Sequence, residues 1–244
     1  MKCVKAAKLM SFAMAALMVL RVGTSPAAEV RGSVSVDYQG LFEPGSAARA
    51  HPVSVALLPD EGQHTVPRGV RHQRIEIVGN RMRPAFLTVQ QGDYIEFVNR
   101  DNVYHELFSL SPGEPVKARL GKADRPSEAR AEFRLDQPGT THFFCRIHNK
   151  SYARIDVVAT PYIQTVEPGG IFDFVGLSPG RWKLRLAAPA AETAWVDVAA
   201  VTMPPSLKLT LTSHGGGQGH RRSLGAAGDV GRLYRQVAAG ETGK

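Results

Sequence analysis

Apolar and polar positions alternate with period two in several stretches of the chain. Tyr94-Ile95-Glu96-Phe97-Val98 is one, and Ala153-Arg154-Ile155-Asp156-Val157 is another. Trp182, Leu184 and Leu186 alternate with Arg181, Lys183 and Arg185, and Leu207, Leu209 and Leu211 alternate with polar residues. Period two puts successive side chains on opposite faces, which is the pattern of half-buried strands. Turn signals separate the stretches: Gln91-Gly92-Asp93, Gln137-Pro138-Gly139, Pro168-Gly169-Gly170 and Ser178-Pro179-Gly180. No long stretch has a clean helical period. The expected fold is therefore all-β and sandwich-like. Ser109 to Arg130, a polar connection of mixed charge, is expected to form a long loop or a short helix.

The two ends depart from this pattern. Lys2, Lys5 and Lys8 precede an apolar run of 12 residues, Leu9 to Leu20, and small residues follow at Ser25-Pro26-Ala27. This is the pattern of a secretory signal peptide cleaved after Ala27, too short to span a bilayer comfortably. The expectation is an exported, periplasmic protein with no stable membrane insertion after cleavage. Residues 213–244 read as a disordered tail: nine of the 32 residues are glycine, and five basic residues face two acidic ones. A weak helix is conceivable from Asp229 to Ala239.

Charge looks different once the ends are set apart. The whole chain of 244 residues carries +8, of which the leader holds +4, the tail +3 and the body +1. Basicity is thus no sign of a nucleic-acid partner, and the tail lacks the interleaved aromatics that such a partner would call for. Removal of the leader also takes Cys3 and four of the six methionines, leaving Cys145, Met82 and Met203. One cysteine excludes an intrachain disulfide and a multi-cysteine zinc or iron–sulfur site.

An unpaired thiol in an oxidising compartment calls for a chemical reason. Cys145 ends an expected strand, Thr141-His142-Phe143-Phe144-Cys145, and His148 follows three positions on. A Cys-x-x-His loop between two strands can point both side chains at one centre. His105, at the strand-to-loop edge of another hairpin, offers a third donor. Two imidazoles and one thiolate form the ligand field of mononuclear blue-copper electron-transfer sites. A structural zinc site would want a fourth protein ligand, and a Cys-His hydrolase an orienting third residue that this spacing does not suggest. The expected cofactor is one copper ion cycling between Cu(I) and Cu(II), held by His105, Cys145 and His148, with no catalytic residues.

Residues from about Gln73 to Val158 resemble a cupredoxin of the plastocyanin/azurin class. The matching residues are Phe86-Leu87-Thr88-Val89 before Gly92-Asp93, Ile95-Glu96-Phe97-Val98-Asn99, His105, Asp136-Gln137-Pro138-Gly139-Thr140 and Phe144-Cys145-Arg146-Ile147-His148. The body more broadly, residues 30–212, resembles exported bacterial proteins called methylamine utilization proteins, in which a cupredoxin accompanies a small carboxypeptidase-regulatory-like β module. Val30-Arg31-Gly32-Ser33-Val34, Phe108-Ser109-Leu110-Ser111-Pro112, Thr160-Pro161-Tyr162, Gly170-Ile171-Phe172-Asp173-Phe174 and Leu177-Ser178-Pro179-Gly180-Arg181-Trp182 carry that likeness. It implies a signal peptide at 1–27, a cupredoxin-like Greek-key sandwich over 66–160, a smaller β-sandwich module over 161–212 and the tail at 213–244. Residues 28–65, with Val53-Ser54-Val55-Ala56-Leu57, look like the first strands of the smaller module, so the cupredoxin would be inserted into it.

The resemblance has one departure. Cupredoxin loops usually continue from the histidine to an axial methionine, and Ser151 stands at that place. The axial position is then empty, or filled by Ser151, Tyr152, a backbone carbonyl, water, Met82 or Glu106. The function implied is a single-electron carrier with an unidentified periplasmic redox partner. The alternatives are a copper carrier or sensor without electron transfer and a metal-free adhesion or assembly module. Phe144 and Asn99 would sit behind the ligands or pack against them, Phe143 would be core, and His142 would point away from Cys145. His51, His64, His72, His214 and His220 read as solvated. Arg68, Arg71, Arg74, Arg81 and Arg83 read as a solvated basic face, with docking to an acidic partner as the other reading.

Overall fold

The computed structural model describes residues 27–39, 51–61, 65, 68–110, 115–189, 191 and 193–214. The expected leader up to residue 26, His64, Ser111-Pro112, and the tail from 215 onward with His220 and the Asp229–Ala239 helix lie outside the described residues.

The fold is all-β. Two strands come first, β1 (Ala28–Gln39) and β2 (Val53–Pro59). Then follow β3 (His72–Val78), β4 (Arg81–Arg83), β5 (Phe86–Gln90), β6 (Tyr94–Asn99), β7 (His105–Leu110), β8 (Lys117–Leu120), β9 (Arg130–Arg134), β10 (Gly139–Cys145) and β11 (Tyr152–Val158). The chain continues through β12 (Ile163–Val166), β13 (Ile171–Leu177), β14 (Gly180–Ala187), β15 (Ala194–Ala200) and β16 (Leu207–His214). The alternating stretches of the sequence fall in β6, β11, β14 and β16. The stretch from Ser109 to Arg130 holds the edge strand β8, antiparallel to β7, and no helix among its described residues. Four residues with one fully buried apolar position, Leu120, are too few for period two to stand out in the sequence.

Strands β3 to β11 make two sheets, β4-β3-β6-β9 and β5-β11-β10-β7-β8. They share one core, in which Ile75, Ile77 and Phe97 of the first meet Leu107, Phe143 and Ile155 of the second. The remaining strands make sheets β13-β1-β16 and β12-β2-β14-β15, closed over Val30, Val34, Val55, Leu57, Phe172, Trp182 and Leu184. Since β1 pairs with β13 and β16, and β2 with β12 and β14, the chain leaves this second sandwich after β2 and re-enters it at β12. The nine strands between are inserted there. Gly32 of β1 is held to glycine by close approach. A Cβ at that position would lie 2.7 Å from both the Phe172 ring and the Leu207 carbonyl oxygen.

Alternation along β10 positions the site. Phe143 and Cys145 are fully buried, with the Phe143 ring against Phe97 and Phe133. Phe144 points to the opposite face, stacked on Phe108 and tilted against Tyr152. The strand thus ends with its last inward side chain, the Cys145 thiol, at one end of the core.

Candidate metal centre

The structure brings His105, Cys145 and His148 together. His105 opens β7 and is fully buried, Cys145 closes β10, and His148 lies half-buried in the connection to β11. Strands β7 and β10 are antiparallel neighbours with Cys145 opposite Leu107, so His105 and Cys145 reach the same end of one sheet. The loop after Cys145 folds back on itself. The Ser151 N–H donates to the His148 carbonyl at 3.0 Å, the Cys145 N–H to the Ser151 carbonyl at 3.2 Å, and the Arg146 N–H to the Glu106 carbonyl at 2.8 Å.

Three donor atoms form a near-regular triangle. Cys145 Sγ is 3.5 Å from His105 Nδ1 and 3.7 Å from His148 Nδ1, and the two Nδ1 atoms are 3.2 Å apart. The point equidistant from all three lies about 2.0 Å from each. That is the ordinary length of a bond from imidazole nitrogen to a divalent first-row metal, about 2.0–2.1 Å. The donor set therefore fits a metal ion at its centre. Among the described residues no fourth Cys, His, Asp or Glu side chain joins the group.

A carboxylate sits behind the buried imidazole. His105 Nε2 is 3.2 Å from Asp101 Oδ2. A proton on Nε2 donated to Asp101 leaves the Nδ1 lone pair facing Cys145 and His148, so Asp101 fixes the tautomer that ligation needs. Asp101 is itself held: its Oδ1 accepts the Gly79 N–H at 2.7 Å and its Oδ2 the Asn80 N–H at 2.9 Å. Gly79 and Asn80 present those donors from a β3–β4 turn with φ of 60° and 59°, the left-handed pair typical of a tight hairpin. Burial would raise the Asp101 pKa, but the two backbone N–H groups and His105 outweigh it and hold the carboxyl below its ordinary value. Burial also lowers the His105 pKa, and neighbouring His148 adds to this while Asp101 opposes it. The net lowering favours the neutral imidazole, the form that binds metal.

Asn99 ties the same loop down. Its amide donates to the Val103 and Gly121 carbonyls, each at 2.7 Å, and its carbonyl accepts the Asp101 N–H at 2.8 Å. Asn99 therefore positions Asp101, while Phe144 packs on the far face of the sheet. Asp101 itself does not stand out in the sequence, because a lone carboxylate four residues before a histidine in a polar loop is common.

Several expectations need correction. Ser151 is committed elsewhere: its hydroxyl donates to the Asn80 carbonyl at 2.7 Å, tying the ligand loop to the turn that holds Asp101. The Tyr152 hydroxyl lies 2.9 Å from His142 Nδ1. Glu106 follows His105 on a strand, so its side chain takes the other face, and Met82 is part of the core. His72 is exposed, as expected. It begins β3, stacks on Tyr94 and lies 2.7 Å from Glu132. The basic stretch is largely a solvated face as expected, with Arg71, Arg74, Arg81 and Arg83 exposed, while Arg68 pairs with Asp93 and Arg74 with Glu96. Acids from β6 and the turn before it, far off in sequence, supply those partners.

The Ser151 contact makes a prediction. Ser151→Ala leaves the part-buried Asn80 carbonyl without its donor, and should destabilise the metal-free protein by about 1 kcal/mol. Urea unfolding of both proteins checks it, and an unchanged midpoint would count against this role.

No protein-family model matches the chain, and no curated protein matches it. Solved structures similar to it include a methionine-to-alanine mutant of amicyanin in the Cu(I) form. That match is 20% identical, covers 43% of this chain and 98% of that one, and has a TM-score of 0.32. A purple cupredoxin from Nitrosopumilus maritimus matches at 19% identity over 35% of this chain and 99% of that one, with a TM-score of 0.30.

Proposed function

We propose that this protein is a mononuclear copper-binding electron carrier, exported to the periplasm, and not an enzyme. The observation that carries the reading is the donor triangle of His105, Cys145 and His148 around a point about 2.0 Å from each atom. One soft thiolate and two imidazoles suit copper in both oxidation states, whereas structural zinc sites take four protein ligands. Copper, when bound, supplies a one-electron couple between Cu(I) and Cu(II).

The chain's own residues supply the rest. Two antiparallel strands fix His105 and Cys145, and Asp101 orients the His105 ring. The hydrogen-bonded loop from Cys145 to Ser151 limits how far His148 can move between oxidation states. A carrier that gives up its ion would gain from a loosely held ligand loop, and the closure of this one favours electron transfer. The strand order over residues 72–158 and the ligand positions at one end of the sandwich support a cupredoxin-like assignment. We assign the second sandwich to the carboxypeptidase-regulatory-like modules of methylamine utilization proteins on the residues given above. The pattern at residues 1–27 supports export.

Titration of the metal-free protein with Cu(II) tests the reading. An intense visible thiolate-to-copper band should grow and saturate at one equivalent. Folded protein that takes up copper without such a band would overturn it.

The anionic partner of His105 makes a second expectation. Asp101→Asn keeps the shape and removes the charge that favours Cu(II). Cu(II) affinity should fall by about 10–100-fold, Cu(I) affinity less, and the reduction potential should therefore rise. Voltammetry alongside competition titrations for each oxidation state measures both; an unchanged potential would contradict the role.

A further inference from the structure

We infer that the protein meets an acidic protein partner through a basic groove beside the ligand loop, built from Lys117 and Arg119 of β8, Lys122 after it, and Arg146 of the loop. Lys117, Arg119 and Arg146 line one groove of about 290 Å³. They face a single carboxylate there, Glu106. Arg119 and Lys122 both lie over the Tyr104 ring, at 4.8 and 5.6 Å from its centre, which extends the cationic surface around the edge of the sheet.

Several cations of this sandwich are neutralised internally. Arg68 pairs with Asp93, Arg74 and Arg130 with Glu96, Arg100 with Glu76, and Arg134 with Asp136. Among the described residues of this sandwich, Arg71, Arg81, Arg83, Lys150, Lys117, Arg119, Lys122 and Arg146 form no ion pair, and the last four stand beside the ligand loop. Their charge is available to a partner, and they cluster where the site approaches the surface. Arg146 directly follows Cys145, and Tyr104 directly precedes His105. Val103 and Ile147, 41% and 51% exposed, are apolar neighbours of the same loops. An apolar contact flanked by unpaired positive charge is complementary to a protein with an apolar spot flanked by carboxylates. Such charges chiefly raise the encounter rate and orient the partner.

This docking role rests on the electron-carrier reading, but its charge recognition can be measured without copper. Metal-free, isotope-labelled protein would be titrated with a decaglutamate peptide, a decalysine peptide and a DNA oligonucleotide of matched charge, followed by amide NMR shifts. Decaglutamate should move Val103 to Glu106, Lys117 to Lys122 and Arg146 to Lys150, and decalysine should not. Lys117→Gln/Arg119→Gln/Arg146→Gln should remove these shifts while keeping a dispersed, native spectrum. Shifts centred on Arg68 to Arg83, or stronger binding of the oligonucleotide, would overturn the proposal.

The reduced copper-loaded protein supplies the kinetic arm. One electron passes from it to hexacyanoferrate(III), which becomes hexacyanoferrate(II). The rate should fall about tenfold between roughly 0.01 M and 0.1 M salt, and the cationic oxidant tris(phenanthroline)cobalt(III) should show the opposite trend. The triple variant should lose the contrast, and a wild type indifferent to probe charge would overturn the docking role. If the visible band is absent while the peptide shifts persist, the electron-carrier reading fails and the charge recognition stands.

Discussion

Copper added to the Cys145→Ser protein is expected to give no intense visible band, and its Cu(I) affinity should fall by more than about a hundredfold, beyond what loss of an outer hydrogen-bond partner causes. The thiolate is the soft donor of the set and the source of charge transfer to copper, and a serine hydroxyl neither ionises near neutrality nor favours Cu(I). The fold should tolerate the change. Cys145 is fully buried, and serine is close to it in size. Absorption and Cu(I) competition titrations, with near-UV circular dichroism as the check on folding, measure these outcomes. A native-like variant that keeps the band would remove Cys145 from the site.

The second large effect concerns how the two sandwiches are joined. Asp156 of β11 is 1% exposed and anchors a buried ionic cluster. Arg154 contacts it through Nε at 2.9 Å and Nη2 at 2.8 Å. Arg185 Nη2, from β14 of the other sandwich, lies at 2.6 Å, and the Thr140 hydroxyl donates at 2.9 Å. Asp156→Ala leaves two guanidinium groups near the interior without their anion, which should destabilise the protein by about 3–5 kcal/mol. Arg185→Ala should lower stability less, because Arg154 still pairs with the carboxylate. A double-mutant cycle should give a coupling well above zero.

The same cluster sets a pH dependence. Burial pushes the Asp156 pKa up, but Arg154 and Arg185 outweigh it and hold the carboxyl below its ordinary value. The folded state thus binds its proton more weakly than the unfolded chain, whose carboxyl titrates near about 3.9. The stability this gives is fully present above that value and is lost as pH falls through the lower folded value. The gap in urea midpoint between wild type and Asp156→Asn should be constant near neutrality and narrow below about pH 4. A gap unchanged in acid would contradict the assignment.

Much of this architecture is legible in the sequence because strands half-buried in a sandwich must alternate. β6, β11, β14 and β16 show it, and the turn residues between them mark where the chain reverses. β8 is obscured because it is a short edge strand with a single buried apolar residue. The three donors are legible because Cys145 ends an alternating strand, His148 follows three residues later, and His105 stands at the edge of another hairpin. What surrounds the donors is not legible. Asp101 works through backbone donors of Gly79 and Asn80, 22 and 21 residues away, and Ser151 through the carbonyl of that same turn. Contacts between backbone and distant loops leave no periodic trace. Ion pairing is hidden for the same reason: β6 and the turn before it bring Glu96 to Arg74 and Asp93 to Arg68, across more than twenty residues.

The most direct measurement is X-ray absorption at the copper edge on the protein loaded with one equivalent, in wild type and in Cys145→Ser. Copper in the wild type should be bound by one sulfur and two imidazole nitrogens, with the sulfur absent from the variant. A wild-type shell of nitrogen and oxygen alone, or a spectrum identical in the two proteins, would contradict it.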